Sequence, residues 1–284
     1  MGTYEEYVDI DGARLWTARS GKGPPLLLCH GGPGHWDYFD PVAAMIDDLV
    51  TVHRYDQRGC GRSSSGGPYS VARYVEDVEA LRRHFGHRSW IVGGHSWGAT
   101  LALAYAWSQP TAVGGLLYVS GVGLGSEWHT AYRAEAERRF TPEQRRRYLS
   151  LRAMDSRTAE EEIEYLALGH SRDYVDRATA LDTAQRAYEV GLSVNYEANR
   201  TIGEEMNGWS EDDLVARCRV LGMPVLVLHG AADPRPSWGG DSMCESLPRV
   251  RRVVLEGAGH LPWHEKPEEV RAALRAFLQE EVLS

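Results

Sequence analysis

Short apolar runs alternate with helical periodicities through the first 125 residues and again after residue 216. The run at 25–29 is unbroken and apolar, which is typical of a strand buried on both faces of a sheet, and further strands are predicted at 50–55, 89–92, 115–120, 223–228 and 250–255. Segments 4–10 and 13–18 flank Asp11-Gly12 and predict a β-hairpin. Helical spacing predicts helices at 41–49, 71–85, 99–107 and 267–282. This alternation predicts an α/β fold with a mostly parallel central sheet and helices on both faces.

The middle of the chain follows a different pattern. From about residue 126 there are no buried-strand runs, and charged helical stretches take their place at 131–140, 142–154, 159–168, 174–190, 195–200 and 202–209. The charge runs at 145–147 and 160–162 are typical of solvated helix faces. We therefore expect a core formed by residues 1–125 and 216–284, and a helical cap, or lid, inserted at 126–215.

Composition narrows the classes of protein that fit this pattern. The chain has 284 residues, 43% of them hydrophobic, which is ample for one large core, and its net charge of -9 argues against a nucleic-acid or anionic-membrane partner. The four cysteines form no C-x-x-C pair, so free thiols in a reducing cytoplasm are expected, with no metal site. We expect no signal peptide in the acidic first eleven residues and no run of the roughly 20 apolar residues that span a membrane.

One turn carries the clearest chemical signal. Gly94-His95-Ser96-Trp97-Gly98 lies between an apolar strand run and an apolar helix run, which is the pattern of a nucleophile elbow. Such a turn strains the backbone of the serine, so the residues two before and two after it must be very small. The turn also leaves the Trp97 N–H at a helix N-terminus, where it can donate to a developing oxyanion.

A base and an acid follow later strands. Asp233 comes after the run 223–228, and His260 comes after the run 250–255. This order of Ser, acid and His is the one found in α/β hydrolases. Two alternatives remain at this stage: Asp233 precedes a proline and could only start a turn, and His229 and His264 compete with His260. The loop at 121–125, the other known place for the acid, carries no carboxylate.

Two glycine-rich loops complete the candidate site. The loop 30–34 follows the strand run 25–29, and its Gly32 is the expected second oxyanion donor. The charged loop 56–63 follows the run 50–55. We expect Asp56 and Arg58 to hydrogen-bond neighbouring loops rather than to contact substrate.

The sequences His30-Gly31-Gly32-Pro33-Gly34, Asp56-Gln57-Arg58-Gly59-Cys60-Gly61-Arg62-Ser63 and 93–106 occur in this order. Together they resemble the proline iminopeptidases and their relatives in the α/β-hydrolase superfamily. The resemblance implies peptidase-type acyl transfer without a cofactor. Ser96 would attack, His260 would shuttle the proton with Asp233 as its partner, and Gly32 and Trp97 would hold the oxyanion.

The resemblance says less about the substrate. In the aminopeptidases of this family, lid carboxylates bind the free α-amine, which makes Glu197, Glu204 and Glu205 candidates here, although none lies in a matching motif. We expect a small-molecule or short-peptide substrate and a monomeric protein. Hydrolysis of an ester, a lactone or another amide stays open, as does a binding protein on the same fold. Epoxide hydrolases and dehalogenases need a carboxylate at the elbow, where this chain has Ser96.

Overall fold

The computed structural model describes residues 2–64 and 66–284. Within them the strands form an eight-stranded sheet in the order β1-β2-β4-β3-β5-β6-β7-β8. The strands are β1 Tyr4–Ile10, β2 Ala13–Gly21, β3 Pro25–Cys29, β4 Thr51–Tyr55, β5 Trp90–His95, β6 Val113–Val119, β7 Val225–Gly230 and β8 Val250–Leu255.

The sheet has an antiparallel edge and a parallel body. β1 and β2 form the predicted hairpin, and β2 pairs antiparallel with β4. All further pairs, from β4-β3 to β7-β8, are parallel. Parallel strands end at the same edge of a sheet, and ligands of open α/β sheets bind at that edge. The loops that follow β3, β5, β7 and β8 therefore converge there.

The helices cover the sheet and fill the segment between β6 and β7. They are α1 Asp40–Ile46, α2 Val71–His84, α3 Trp97–Ser108, α4 Trp128–Arg138, α5 Pro142–Arg152, α6 Ala159–Ser171, α7 Ala180–Tyr188, α8 Tyr196–Asn207, α9 Glu211–Cys218, α10 Asp241–Ser246, α11 Pro262–Glu265 and α12 Pro267–Phe277. A π-helical turn, Leu278–Val282, extends α12. The short 3-10 helices are Pro110–Ala112 and Ser237–Gly240.

Alternate residues of the buried strands face two different cores. In β3, Leu27 and Cys29 pack in the cluster that contains α2 and α3, whereas Leu26 and Leu28 pack in the cluster that contains α1 and α12. Burying each leucine stabilises the fold by about 1.5–3 kcal/mol relative to an exposed position. This burial on both faces explains why β3 is an unbroken apolar run. The mostly parallel sheet covered by helices confirms the predicted α/β fold.

Residues 120–224, all of which the structure describes, contain α4 to α9 and no strand. Capping boxes at Thr141 and Thr158 start α5 and α6. The predicted helix at 174–190 begins only at α7, because the Asp176 carboxylate accepts the Ala178 N–H and holds a turn there.

The boundary expected at 215/216 falls inside α9, which was not predicted as a helix. Leu214 of α9 and Ile202 of α8 pack in the same hydrophobic cluster as α2 and α3. The last part of the helical segment is therefore continuous with the sheet core. Among the described residues, none of the helices combines the length and the apolar character needed to cross a membrane.

Candidate active site

Ser96 stands at the turn between β5 and α3. Its φ of 55° and ψ of -120° are a strained, positive-φ conformation of the kind that an elbow imposes. A Cβ on Gly94 would overlap the carbonyl oxygen of Gly98, and a Cβ on Gly98 would overlap that of Cys29. The strand, the turn and the helix thus approach one another so closely that only glycine fits at these two positions. The Ser96 side chain is half-buried and lines a cavity at the carboxyl edge of the sheet.

His260 and Asp233 meet across the loops that follow β8 and β7. The His260 Nδ1–H donates to Asp233 Oδ2 at 2.6 Å, and the Arg235 N–H donates to Asp233 Oδ1 at 2.8 Å. Burial alone would raise the pKa of Asp233, but His260 and Arg235 lower it below its ordinary value. The carboxylate is therefore ionised, and it fixes the imidazole with its Nδ1 protonated.

The two histidines that compete with His260, His229 and His264, make other contacts. His229 Nε2–H donates to the carbonyl oxygen of Arg235 at 2.8 Å, so this ring is occupied beneath the Asp233 loop. His264 lies in the cavity wall beyond His260, and burial lowers its pKa. His229 Nε2 also lies 3.4 Å from Asp233 Oδ2, but its hydrogen is taken by the Arg235 carbonyl, whereas His260 Nδ1 makes the short hydrogen bond to that carboxylate at 2.6 Å.

The two residues predicted to supply oxyanion donors, Gly32 and Trp97, lie close to Ser96 in the chain or along the cavity wall. Trp97 is the first residue of α3, and an N–H in the first turn has no acceptor within its own helix. Gly32 lies in the loop after β3, with a φ of 57°, and it lines the cavity together with Ser96. The indole of Trp97 donates to Gln57 Oε1 at 2.8 Å, which ties the elbow to the loop after β4.

The charged loop after β4 is held by buried hydrogen bonds. Asp56 accepts the backbone N–H groups of Asp37 and Arg62, each at 2.7 Å, and the Arg62 side chain at 2.6 Å. Arg58 makes a two-pronged ion pair with Asp77 of α2, at 2.6 and 2.9 Å. Neither Asp56 nor Arg58 lines the cavity. These contacts brace the loop against its neighbours.

The cavity beside Ser96 has a volume of about 150 Å³. Its wall is built mostly of aromatic and imidazole rings from the loop after β3, from α6 and the loop that follows it, from α7 and from α11, among them His35, Trp36, His170, Tyr174, Tyr188 and His264. Burial lowers the pKa of His35 to about 3 and lowers that of His170 as well. These rings are therefore neutral at pH 7 and make a largely uncharged wall.

Among the described residues that line the cavity, Asp173 is the one carboxylate. Its Oδ1 accepts Arg235 Nη1 at 2.7 Å, and its backbone oxygen accepts the His260 N–H at 2.8 Å. Burial alone would raise the pKa of Asp173, but Arg235, His260 and His170 together lower it below its ordinary value. The cavity thus holds one ion pair in contact with the candidate catalytic histidine.

The three glutamates expected to bind an amine do not line the cavity, and this expectation is corrected. Glu197 is exposed, Glu204 pairs with Arg200 at 3.1 Å on the surface, and Glu205 accepts the Val71 N–H at 2.9 Å. The reason is the orientation of α8, which buries its small and aliphatic positions against the core and leaves these glutamates on other faces. The carboxylate that does line the cavity, Asp173, follows α6 and was not singled out from the sequence.

A chain of hydrogen bonds joins the oxyanion loop to the histidine loop. The Gly31 N–H donates to the Tyr38 hydroxyl oxygen at 2.7 Å, and the Tyr38 hydroxyl lies 2.6 Å from His95 Nδ1. On its other side, His95 Nε2 lies 2.8 Å from the carbonyl oxygen of His260. We call these three hydrogen bonds the Tyr38–His95 bridge. The elbow residue His95 was visible in the sequence, but nothing there indicated its two partners.

No group of three or more His, Cys, Asp or Glu side chains that could hold a metal ion is found in residues 2–64 and 66–284.

Comparison with known proteins gives concordant findings. A family model described as "alpha/beta hydrolase fold" matches residues 24–267. The proline iminopeptidase of Neisseria gonorrhoeae is 35% identical over 262 residues, which cover 84% of this chain and 83% of that protein. Two solved structures are also similar, each covering 99% of both chains: a proline iminopeptidase from Mycobacterium smegmatis (TM-score 0.72, 24% identity) and a thermophilic esterase from Thermogutta terrifontis (TM-score 0.73, 23% identity). At these identities the structural likeness is evidence for the fold alone.

Proposed function

Since the chain belongs to the α/β-hydrolase family, as a proline iminopeptidase-like member and hence a hydrolase, we propose that it is a serine aminopeptidase. It releases one N-terminal residue from short peptides or small amides. Ser96 is the nucleophile, His260 the general base and Asp233 its partner. The observation that carries this proposal is the 2.6 Å hydrogen bond from His260 Nδ1 to the buried Asp233, on a cavity that Ser96 lines.

The mechanism follows from these positions. Ser96 Oγ attacks the carbonyl carbon of the substrate while His260 Nε2 takes the hydroxyl proton, and the carbonyl oxygen becomes an oxyanion. The N–H groups of Gly32 and Trp97 stabilise that oxyanion, and one such donor is worth about 2.7–4 kcal/mol in other serine hydrolases. The C–N bond breaks as His260 returns the proton to the leaving amine. Water then hydrolyses the Ser96 ester by the same two steps.

The cavity supports a small acyl group. An engineered cavity of about 150 Å³ in another protein holds one benzene molecule, and the cavity beside Ser96 has the same volume. A proline or another small residue is therefore the size of group that we expect on the acyl side. The leaving side of the substrate extends towards solvent from the half-buried Ser96.

Asp173 is our candidate for the contact with the free α-amine. It is ionised, it lines the cavity, and its partner Arg235 holds it in place at 2.7 Å. An ammonium group beside it would add a charge-assisted hydrogen bond. We also propose that the helical segment 126–215, with the rest of α9, acts as a cap, because Asp173 in the loop after α6 and Tyr188 at the end of α7 line the cavity.

The test compares substrates that differ only at the amine. Prolyl and alanyl p-nitroanilides, the corresponding N-acetylated anilides and p-nitrophenyl acetate are assayed with the wild type, Ser96→Ala and Asp173→Asn. We expect Ser96-dependent hydrolysis of the free-amine anilides. The N-acetylated anilides should react up to about 100-fold more slowly, because they have no ammonium group to make the charged hydrogen bond to Asp173. Equal rates for free and acetylated anilides would contradict the aminopeptidase assignment, whatever the stability of Asp173→Asn.

A second candidate function is hydrolysis of a small ester or lactone. The observation in its favour is that Arg235 already neutralises Asp173, while the remaining cavity wall is aromatic or neutral. The same assay separates the two functions. Turnover of the acetate ester that is lost in Ser96→Ala, with no hydrolysis of any anilide, would favour this candidate.

A further inference from the structure

We propose that Tyr38 and His95 are positioning residues, whose hydrogen bonds set the distance between the oxyanion loop and the catalytic histidine. The inference rests on the proposed function, in which Gly32 and His260 act on the same substrate carbonyl. It adds to that function two residues whose side chains take no part in the mechanism above, although both line the cavity.

The Tyr38–His95 bridge admits a single arrangement of protons. The Gly31 N–H occupies the Tyr38 oxygen as donor, so the Tyr38 hydrogen is free to point at His95 Nδ1. The His260 carbonyl can only accept, so His95 Nε2 must carry the hydrogen that it receives. His95 is therefore the neutral tautomer protonated at Nε2. Burial lowers its pKa well below the ordinary value, which keeps it in that form.

The bridge ends at two places where small displacements matter. Gly31 adjoins Gly32, the proposed oxyanion donor, and His95 adjoins the nucleophile Ser96. At the far end, the His260 backbone is held on both sides: its carbonyl by His95 at 2.8 Å and its N–H by the Asp173 carbonyl at 2.8 Å. Loss of one of these hydrogen bonds would therefore displace the histidine loop, the oxyanion loop or both.

Ring packing makes the bridge stiff. The His95 ring lies 4.5 Å from the His260 ring and 4.8 Å from the Trp263 ring, centroid to centroid. Tyr38 stacks on Trp263 at 6.1 Å with an interplanar angle of 18°. Because these rings confine His95 and Tyr38 from several sides, each of the three hydrogen bonds is made in one geometry. This is how a supporting residue holds reacting groups in position.

The expected effect is on the rate of the chemical step. A misplacement of about 1 Å at reacting groups can cost on the order of 100-fold in rate. Tyr38→Phe removes only the hydroxyl, and it leaves both the Gly31 N–H and His95 Nδ1 without a partner. We therefore expect this variant to react about 10- to 100-fold more slowly than the wild type, with KM for the anilide changed by no more than about threefold.

Two variants of His95 differ in how many of its hydrogen bonds they remove. In His95→Gln, the side-chain amide nitrogen stands about as far from the backbone as Nε2 and can still donate to the His260 carbonyl. His95→Phe keeps a ring and loses both hydrogen bonds. Tyr118→Phe is the matched control, because the buried Tyr118 hydroxyl also accepts a glycine N–H, that of Gly123 at 3.0 Å, and Tyr118 does not line the cavity.

The measurement is the second-order rate at which a fluorophosphonate labels each folded variant, together with kcat and KM. The probe reacts with an activated serine whatever the natural substrate is. We expect slow labelling of Tyr38→Phe and His95→Phe, an intermediate rate for His95→Gln, and a rate within about twofold of the wild type for Tyr118→Phe.

Three results would overturn the inference. Tyr38→Phe and Tyr118→Phe could label equally fast, or His95→Gln could be no faster than His95→Phe. Either result, with the wild type labelled normally, leaves the proposed function intact and removes the positioning role. A wild type that the probe does not label, and that hydrolyses no substrate through Ser96, would overturn the proposed function and this inference together.

Discussion

Replacing Asp233 by asparagine changes one atom of the site and should nearly abolish activity. Asp233 Oδ1 accepts the Arg235 N–H at 2.8 Å, and Oδ2 accepts His260 Nδ1 at 2.6 Å. Only the carboxamide oxygen of Asn can take the Arg235 N–H, so its NH2 group must face His260. That NH2 can only donate, which makes Nδ1 an acceptor and moves the imidazole hydrogen to Nε2. Nε2 then cannot take the proton of Ser96.

The expected loss of activity is that of an enzyme whose catalytic histidine is held in the wrong tautomer. The same substitution in a serine protease lowers kcat about 10⁴-fold while the geometry is kept, which at 1.36 kcal/mol per tenfold is about 5.4 kcal/mol of transition-state stabilisation. The assay is kcat/KM for the best substrate, with thermal unfolding of each variant beside it. Asp37→Asn is the control, since Asp37 is equally buried and paired, with Arg54 at 2.6 Å, but does not line the cavity. An Asp233→Asn enzyme that kept more than a tenth of wild-type kcat/KM would refute the reasoning.

Three further predictions concern stability and are read by chemical denaturation. Gly98→Ala should lower the free energy of unfolding by at least about 3 kcal/mol, because the new methyl group would overlap a backbone carbonyl oxygen. Gly203→Ala in α8, with open space around it, should raise the free energy of unfolding by about 0.5–1 kcal/mol. Similar values for the two variants would count against the elbow geometry. Burial lowers the pKa of His53 to about 3, so the unfolded chain takes up a proton below pH 6.5 that the folded protein refuses. The free energy of unfolding of the protein therefore decreases as the pH is lowered from about 6.5 to 3. His53→Gln should make this decrease less steep, by up to about 1.4 kcal/mol per pH unit. An unchanged slope would contradict this prediction. Asp77→Asn should cost about 3–5 kcal/mol, because it leaves the buried Arg58 guanidinium unpaired, and the double replacement Arg58→Met with Asp77→Leu should cost less; the reverse order would contradict it.

The sequence predicted the strands best. The runs at Pro25–Cys29 and Val250–Leu255 match β3 and β8 to the residue. β3 is buried and apolar along its length, so its pattern is local and ends where polar residues or glycine begin. β8 is an edge strand, and its apolar residues still marked its position although it contains Arg251 and Arg252. The short helix α9 escaped prediction because only Leu214 and Cys218 of its eight residues are buried. With so few apolar positions, its helical period is not visible in the sequence.

In the candidate site, too, the sequence indicated only the residues that a local pattern marks. Ser96, Asp233 and His260 each follow a strand, so local pattern and chain order were enough to nominate them, and the structure brings the last two into contact. Their catalytic roles stay a prediction. Asp173 and Tyr38 could not be nominated, because their importance comes from contacts with residues 62 and 57 positions away along the chain, Arg235 and His95. Nothing near them in the sequence indicates that approach.

The central claim is that Ser96 is the nucleophile of this hydrolase. It is tested most directly by locating the adduct of a fluorophosphonate by intact mass and peptide mapping, with residual activity measured on the same samples. We predict one adduct per chain, on Ser96, with activity lost in proportion to labelling and no adduct in folded Ser96→Ala. An adduct on another residue, or a wild type that stays unlabelled and fully active, would contradict the account.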